Sequence, residues 1–253
     1  CEMMGLPATD AARFARWSAA ATAFLENLTT DEATDRSAVS ALFEASVYML
    51  SAAQHMATEP RSDTIMSLLV EADEDGDKLS TEELFCNAIL LLSAGLETTT
   101  HLIANGVLSL MRQPEQWERL KAQPTLINAA VEELARYESP FQYMIRTAAE
   151  DLEVGGTHIK AKDTLMLLIG SANRDPDAFD QPDVLDICRT ENRHLAFGRG
   201  IHFCIGAGVA RLEAQVALRA LIERLPTLRL ATNEVEWQQK FEFRGLTALP
   251  VTW

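Results

Sequence analysis

The chain has 253 residues, 47% of them hydrophobic and 7% aromatic, which fits a globular protein with a sizeable core. Its formal net charge is −15, with 37 acidic residues against 22 basic ones, so its surface is expected to repel nucleic acid and anionic lipid. No apolar run is long enough for a membrane span, and the opening "CEMMGLPATD" reads as the inside of an element rather than as a leader. Cys1, Cys86, Cys188 and Cys204 are scattered without a CxxC pair, which points to a reducing, cytoplasmic setting and away from a disulfide framework or a Cys-rich zinc module.

In chain order the first half reads as helix. "ATDAARFARWSAAATAFLEN" and "RSAVSALFEASVYMLSAAQHM" are alanine-rich, with apolar residues recurring at three and four. "EADEDGDKLST" is an acidic loop that places Glu71, Asp73, Asp75, Gly76 and Glu82 at the spacing of a calcium-binding EF-hand. Lys78 stands where that motif wants an aliphatic residue and no second hand exists, so a solvated loop is the expected reading. Ser80 followed by Glu83 is a capping box. It opens a helix of about thirty residues that ends at Pro114, and its middle, Leu84 to Leu96, is expected to be buried on all sides. Two shorter helices follow, around 114–123 and 125–138, the second stopped at Ser139–Pro140 because a residue before proline resists helix.

The pattern then changes. "LEVGGTHIKAKDTLMLLI" alternates around a Gly-Gly break and predicts short strands in hairpins. "NRDPDAFDQPDVLD" is irregular. After Cys204 an amphipathic helix runs to Pro226, and the tail predicts strands around "LRLAT" and "FEFRGLTALPVTW". One mainly α domain with small β-sheets is expected over residues 1–253.

The chemistry concentrates in "AFGRGIHFCIGAG", residues 196–208. Cys204 stands directly before a helix, where unpaired N–H groups and the macrodipole favour a thiolate. Gly198 and Gly200 allow backbone angles that other residues avoid. Gly206 removes a side chain where something flat could lie. Such a loop suits a haem iron bound through one thiolate. A zinc site made of Cys204, His202, His194 and Cys188 explains neither the glycines nor the helix start. The order Phe197-Gly198-x-Gly200-x-His202-x-Cys204-x-Gly206 resembles the haem-binding loop of the cytochrome P-450 family, in its soluble bacterial form.

A second stretch, "LLSAGLETTTH", resembles that family's distal-helix motif. Read from the residues alone it is unusual. Gly95 inside a helix costs roughly 1 kcal/mol relative to alanine. Glu97 puts a carboxylate among apolar neighbours, and Thr98 lies four residues after Ala94 on the same face, able to bond back to its carbonyl. Glu133 and Arg136, at i and i+3, face the same way and resemble the family's structural Glu-x-x-Arg pair. The family usually adds an arginine from the irregular segment. Val184 stands at that position here, and Arg189 is expected to substitute. Lys160 and Lys162 replace a usual proline and glycine, so a looser turn is expected there.

The resemblance implies a haem-thiolate monooxygenase that puts one oxygen atom of dioxygen into a hydrophobic small organic molecule. It implies haem b (iron protoporphyrin IX) held by Cys204 as axial ligand. Ala94, Gly95, Phe197, Gly198 and Gly206 lie against the haem, and Arg146 and His202 bind its propionates. Thr98 hydrogen-bonds the dioxygen, Glu97 relays protons, and Leu91, Ala94, Thr98, residues 141–145 (Phe141, Met144 and Ile145 among them) and the turn near Leu246 line the substrate pocket. It covers nearly the whole chain but not the family's N-terminal portion, so a shortened cytochrome P-450 fold is expected, and a haem-free or inactive fragment or scaffold of that fold is the competing reading. The chain has no nicotinamide or flavin fingerprint. Electrons are therefore expected to reach it from NAD(P)H indirectly, through a ferredoxin or flavodoxin. The expected docking patch is the segment holding Arg193, Arg199, Arg211, Arg219 and Arg224 against only Glu213 and Glu223.

Overall fold

In the computed structural model, all residues are described except 27–31, 57, 59–62 and 75. The chain divides into two compact units, Cys1–Glu97 and Thr98–Trp253. Asp75, and with it the calcium spacing, lies outside the described residues.

The first unit is helical. It contains α1 (Ala11–Glu26), α2 (Glu32–Met56), α3 (Ile65–Glu71), a two-residue hairpin of β1 (Asp73–Glu74) and β2 (Asp77–Lys78), and the first half of α4 (Thr81–Arg112). Helix α2 buries Ala38, Ala41, Ala45, Met49 and Ala53. These residues repeat at three and four, and their small side chains let neighbouring helices approach closely. Phe14, Trp17 and Met66 complete that core. The capping box forms as read: Ser80 N–H donates to Glu83 at 2.8 Å and Glu83 N–H donates to Ser80 Oγ at 3.2 Å.

The expectation that Leu84–Leu96 is buried all round is corrected. In this stretch only Ala88 is fully buried. Leu84, Phe85, Ile89 and Leu92 pack on the first unit's core, while Leu90, Ala94, Gly95 and Leu96 are exposed. The apolar run thus has two faces, one packed on the core and one exposed. Among the described residues no helix is long and apolar enough to cross a membrane.

The second unit holds the rest of α4, then α5 (Pro114–Ala122), α6 (Ile127–Tyr137), β3 (Met144–Thr147), β4 (Leu152–Val154), β5 (Thr157–Ile159), β6 (Thr164–Leu167), α7 (Ile169–Ala172), α8 (Ala207–Arg224), β7 (Arg229–Leu230) and β8 (Val251–Thr252). Strands pair antiparallel as β3–β6, β4–β5 and β7–β8. The β4–β5 turn is Gly155–Gly156 with φ of 55° and 78°, the two positive angles that a tight hairpin turn requires. Leu110, Trp117, Leu120, Val131, Leu185 and Leu218 form the centre of its core, which places α6 and α8 side by side beneath the cysteine loop.

The looser turn expected at Lys160–Asp163 is not found. Lys162 N–H donates to Ala148 at 2.8 Å, Lys160 N–H to Asp163 Oδ2 at 2.8 Å and Ala161 N–H to Asp151 Oδ1 at 2.8 Å. Lys162 takes φ of 74°, the region glycine occupies without strain, so hydrogen bonds hold a lysine in a glycine's conformation.

Candidate active site: a cysteine loop braced by two adjacent glutamates

The loop between Leu195 and α8 is fixed by its own backbone. Gly198 N–H donates to Leu195 at 2.8 Å and Cys204 N–H donates to the Phe197 carbonyl at 2.8 Å. The chain reverses through Gly198 at φ 69° and Gly200 at φ 70°. A Cβ at Gly198 would stand 3.2 Å from the His202 carbonyl oxygen, so conformation and space both require glycine there. Cys204 is exposed at the start of α8. Around it stand Ile201, 98% exposed, Ile205, 90% exposed, and Phe203. His202 is exposed on the same turn.

Two consecutive carboxylates on α6 hold the segments around this loop. Glu133 is fully buried and receives Arg136 through two hydrogen bonds of 2.8 Å. Arg189 Nε reaches it at 3.1 Å, Asn192 at 3.2 Å, and the Asp186 amide at 3.0 Å. Arg189 therefore occupies the place of the third member. Arg136 also donates to the carbonyls of Asn173, Pro182 and Val184, which ties the irregular segment to α6. Glu132, the next residue, receives Arg211 Nε at 2.6 Å and Nη2 at 2.9 Å, and faces His194 Nε2 at 3.1 Å. Burial raises its carboxyl, but the hydrogen bonds from His194 and Arg211 and the Arg211 charge outweigh that and hold it down at about 2. Sequence reasoning missed Glu132, because its partners lie 62 and 79 positions away and nothing local distinguishes it from any other helix-surface glutamate.

This contact also corrects the docking patch. The Arg211 guanidinium is committed to Glu132 and lies 4.3 Å over the Phe197 ring. Arg199, Arg219 and Arg224 are exposed, and Arg193 stands 4.0 Å from Glu191.

The expected pocket residues are only partly gathered. On β3 the pleat puts Met144 and Arg146 on one face and Ile145 on the other. Arg146 Nη1 donates to the Ile145 carbonyl at 2.8 Å. Phe141 packs edge-on against Phe243 at 5.1 Å. Leu246 is buried beside Trp237. An open cleft of about 350 Å³, with Trp237, Phe241 and Arg244 in its wall, takes Gln142 and Tyr143 from the expected 141–145 segment and Gly245 from the turn near Leu246, but not Leu91, Phe141, Met144, Ile145 or Leu246 themselves. In α4, Leu91, Ala94 and Thr98 recur at three and four, so they share a stripe. Leu91, Glu97 and Thr98 are half-buried. A Cβ at Gly95 would meet nothing within 4 Å.

The residues fit a haem. Among the described residues no group of three or more His, Cys, Asp or Glu side chains could hold a metal ion, and His194 is engaged with Glu132, which disposes of the four-ligand zinc reading. One exposed thiol with an apolar rim suits a metal that brings its remaining ligands with it. Gly206, whose Cβ would stand 3.9 Å from Cys204 Sγ, leaves room beside the sulfur for a flat ring.

Comparison with known proteins agrees. The family model described as Cytochrome P450 matches residues 20–246. The polyketide biosynthesis cytochrome P450 PksS of Bacillus subtilis (strain 168) is 42% identical over 254 residues, 99% of this chain and 61% of its own length. Vitamin D(3) 25-hydroxylase of Pseudonocardia autotrophica is 42% identical over 255 residues, 100% of this chain and 61% of its own length. The solved structure of P450BioI in complex with hexadec-9Z-enoic acid ligated acyl carrier protein matches with a TM-score of 0.93 at 40% identity, covering 100% of this chain and 64% of that one. The chain thus spans 61% of the length of each of these two curated relatives, and with the model match over nearly all its residues it belongs to the cytochrome P450 family.

Proposed function

We propose that the protein acts as a haem-thiolate monooxygenase on a hydrophobic small organic molecule, as a single domain over residues 1–253. The observation that carries this reading is the exposed Cys204 thiol in a loop that glycine geometry and backbone hydrogen bonds hold open at the start of α8. Haem b, when bound, supplies the iron that activates dioxygen. The chain's own residues do the rest. Cys204 Sγ would hold the haem iron, and Phe197, Gly198 and Gly206 would leave the ring a flat, apolar seat. Ala94 and Gly95 give a bare helix surface. Arg146 and His202 hold the propionates. The Thr98 hydroxyl offers a hydrogen bond at the reacting oxygen, and the Glu97 carboxyl passes protons toward it. Leu91, Phe141, Met144 and Leu246 supply apolar wall, with Ile145 assigned to the opposite face of its strand.

Electrons come from NAD(P)H through a ferredoxin or flavodoxin, drawn to the exposed Arg199 on the thiolate side. The setting is the cytoplasm, where the four cysteines stay as free thiols. The test is a reduced carbon monoxide difference spectrum of the purified chain with haem. The parent and Cys86→Ser should give a thiolate-type spectrum, and Cys204→Ser should lose it. Equal spectra for the two variants would remove Cys204 as the ligand. Absence of a Soret band in the parent would favour the haem-free scaffold instead.

A further inference from the structure

We infer that Glu132 is a positioning residue for the cysteine loop, acting on both ends of it at once. The inference rests on Cys204 as the axial ligand for its purpose, but not for its geometry.

Glu132 sits on α6, and the hydrogen-bond partners of its carboxylate are side chains, not the loop backbone or Cys204. Its carboxylate instead holds two side chains that do flank the loop. His194 lies just before it. The His194 Nε2 contact to Glu132 is 3.1 Å, and Nδ1 accepts the Ala196 N–H at 3.2 Å. That assigns the ring one donor and one acceptor, with Nε2 donating to the carboxylate. Arg211 lies in the first turn and a half of α8, just past the loop, and its planar fork meets both oxygens of Glu132. Phe197 is the first loop residue. Its ring has the Arg211 guanidinium at 4.3 Å and the His194 ring at 5.9 Å. Its carbonyl receives the Cys204 N–H. One carboxylate thus aligns the entering segment, the exiting helix and the aromatic residue whose own backbone orients Cys204. Glu133, one residue on, binds a different segment, Asp186–Asn192. Its loss cannot substitute for the loss of Glu132.

The alternative is that this cluster only adds stability. Native-state hydrogen exchange on the haem-free chain separates the two. With Glu132→Gln, the Cys204 and Gly198 amides should exchange about tenfold faster or more, while amides in α5 and β4–β5 keep the parent's rates. Arg211→Lys should behave similarly, because an ammonium cannot reproduce the two-point contact. His194→Gln should restore near-parent rates, since its amide can donate to Glu132. Unchanged exchange at Cys204 and Gly198 in Glu132→Gln, or an equal acceleration across the whole second unit, overturns the inference. The haem-loaded proteins give an independent reading. A parent with a thiolate-type carbon monoxide spectrum and a Glu132→Gln protein that shifts part of it to the non-thiolate form supports positioning. Identical spectra for the two count against it. If the parent gives no thiolate-type spectrum while the exchange difference holds, the haem assignment fails and the positioning of the loop stands.

Discussion

Glycine means different things in the two stretches that carry the candidate chemistry. In the cysteine loop, Gly198 has φ of 69° and a Cβ there would press on the His202 carbonyl oxygen at 3.2 Å, so the loop's own conformation favours glycine. In α4, Gly95 sits within a helix and a Cβ there would meet nothing within 4 Å. No neighbour among the described residues requires that glycine, and helix propensity argues against it. The first stretch is therefore a site whose shape its own unit dictates. The second is a composition that its own unit does not explain and that a ligand lying against the helix, as proposed above, would. Substitutions should tell the two kinds of residue apart.

The largest effect should come from behind the loop. Arg136→Ala leaves Glu133 partly unpaired in a fully buried position and frees three carbonyls of the irregular segment. Breaking such a pair costs about 3–5 kcal/mol. Exchange-derived opening energies for residues 192–204 should fall by that amount, and those for 91–98 should fall less. An equal fall in both would mean that the two stretches share one support, and the contrast would break. Gly198→Ala comes next. A side chain in the left-handed region, pressed on the His202 carbonyl, should destabilise the loop by about 2 kcal/mol. Denaturant unfolding of the haem-free variant would check this, and a parent-like midpoint would show that the loop has slack.

Much of this was legible beforehand for identifiable reasons. The capping box, the Gly-Gly hairpin and the Pro114 helix start are local signals, and they formed as read. Glu133 with Arg136 is a spacing of three on one helix, readable without tertiary structure. Arg189 was placed by what Val184 could not do. The reading failed where faces or distant partners decide. Hydrophobicity alone could not say which side of Leu84–Leu96 meets the core. Helix α3 is not legible because its seven residues are too short for a helical period to stand out, although Thr64 accepting the Ser67 N–H marks its start. Arg211 looked like free surface charge until Glu132, far away in sequence, was brought beside it.

That Arg211–Glu132 contact gives a smaller, pH-dependent effect. The Glu132 carboxyl lies at about 2 in the folded chain, below its ordinary 4.5. Its contribution is then complete above pH about 4.5 and is lost as pH falls toward 2. Because 31% of its side chain stays in water, screening trims that contribution to about 1 kcal/mol. Parent stability should therefore fall more steeply than that of Glu132→Gln through this window. Parallel pH profiles would show that the pair contributes no net charge stabilisation to the loop.

The smallest effect has the most distinctive sign. Gly95→Ala replaces the residue with the greatest backbone freedom by the best helix former, at a position with open space around the new methyl group. It should stabilise the haem-free chain by about 0.5–1 kcal/mol, a rise of about 1–4 °C in Tm for a chain of this size. If Gly95 is kept glycine so that a flat group can lie on α4, the same methyl group should weaken haem or substrate binding. Stability and binding would then move in opposite directions with one substitution, which loss of packing cannot produce. A lowered Tm would show that Gly95 serves the chain's own packing, as Gly198 does. A raised Tm with unchanged binding would leave the glycine without a ligand to explain it. Either result would erase the distinction between the two stretches.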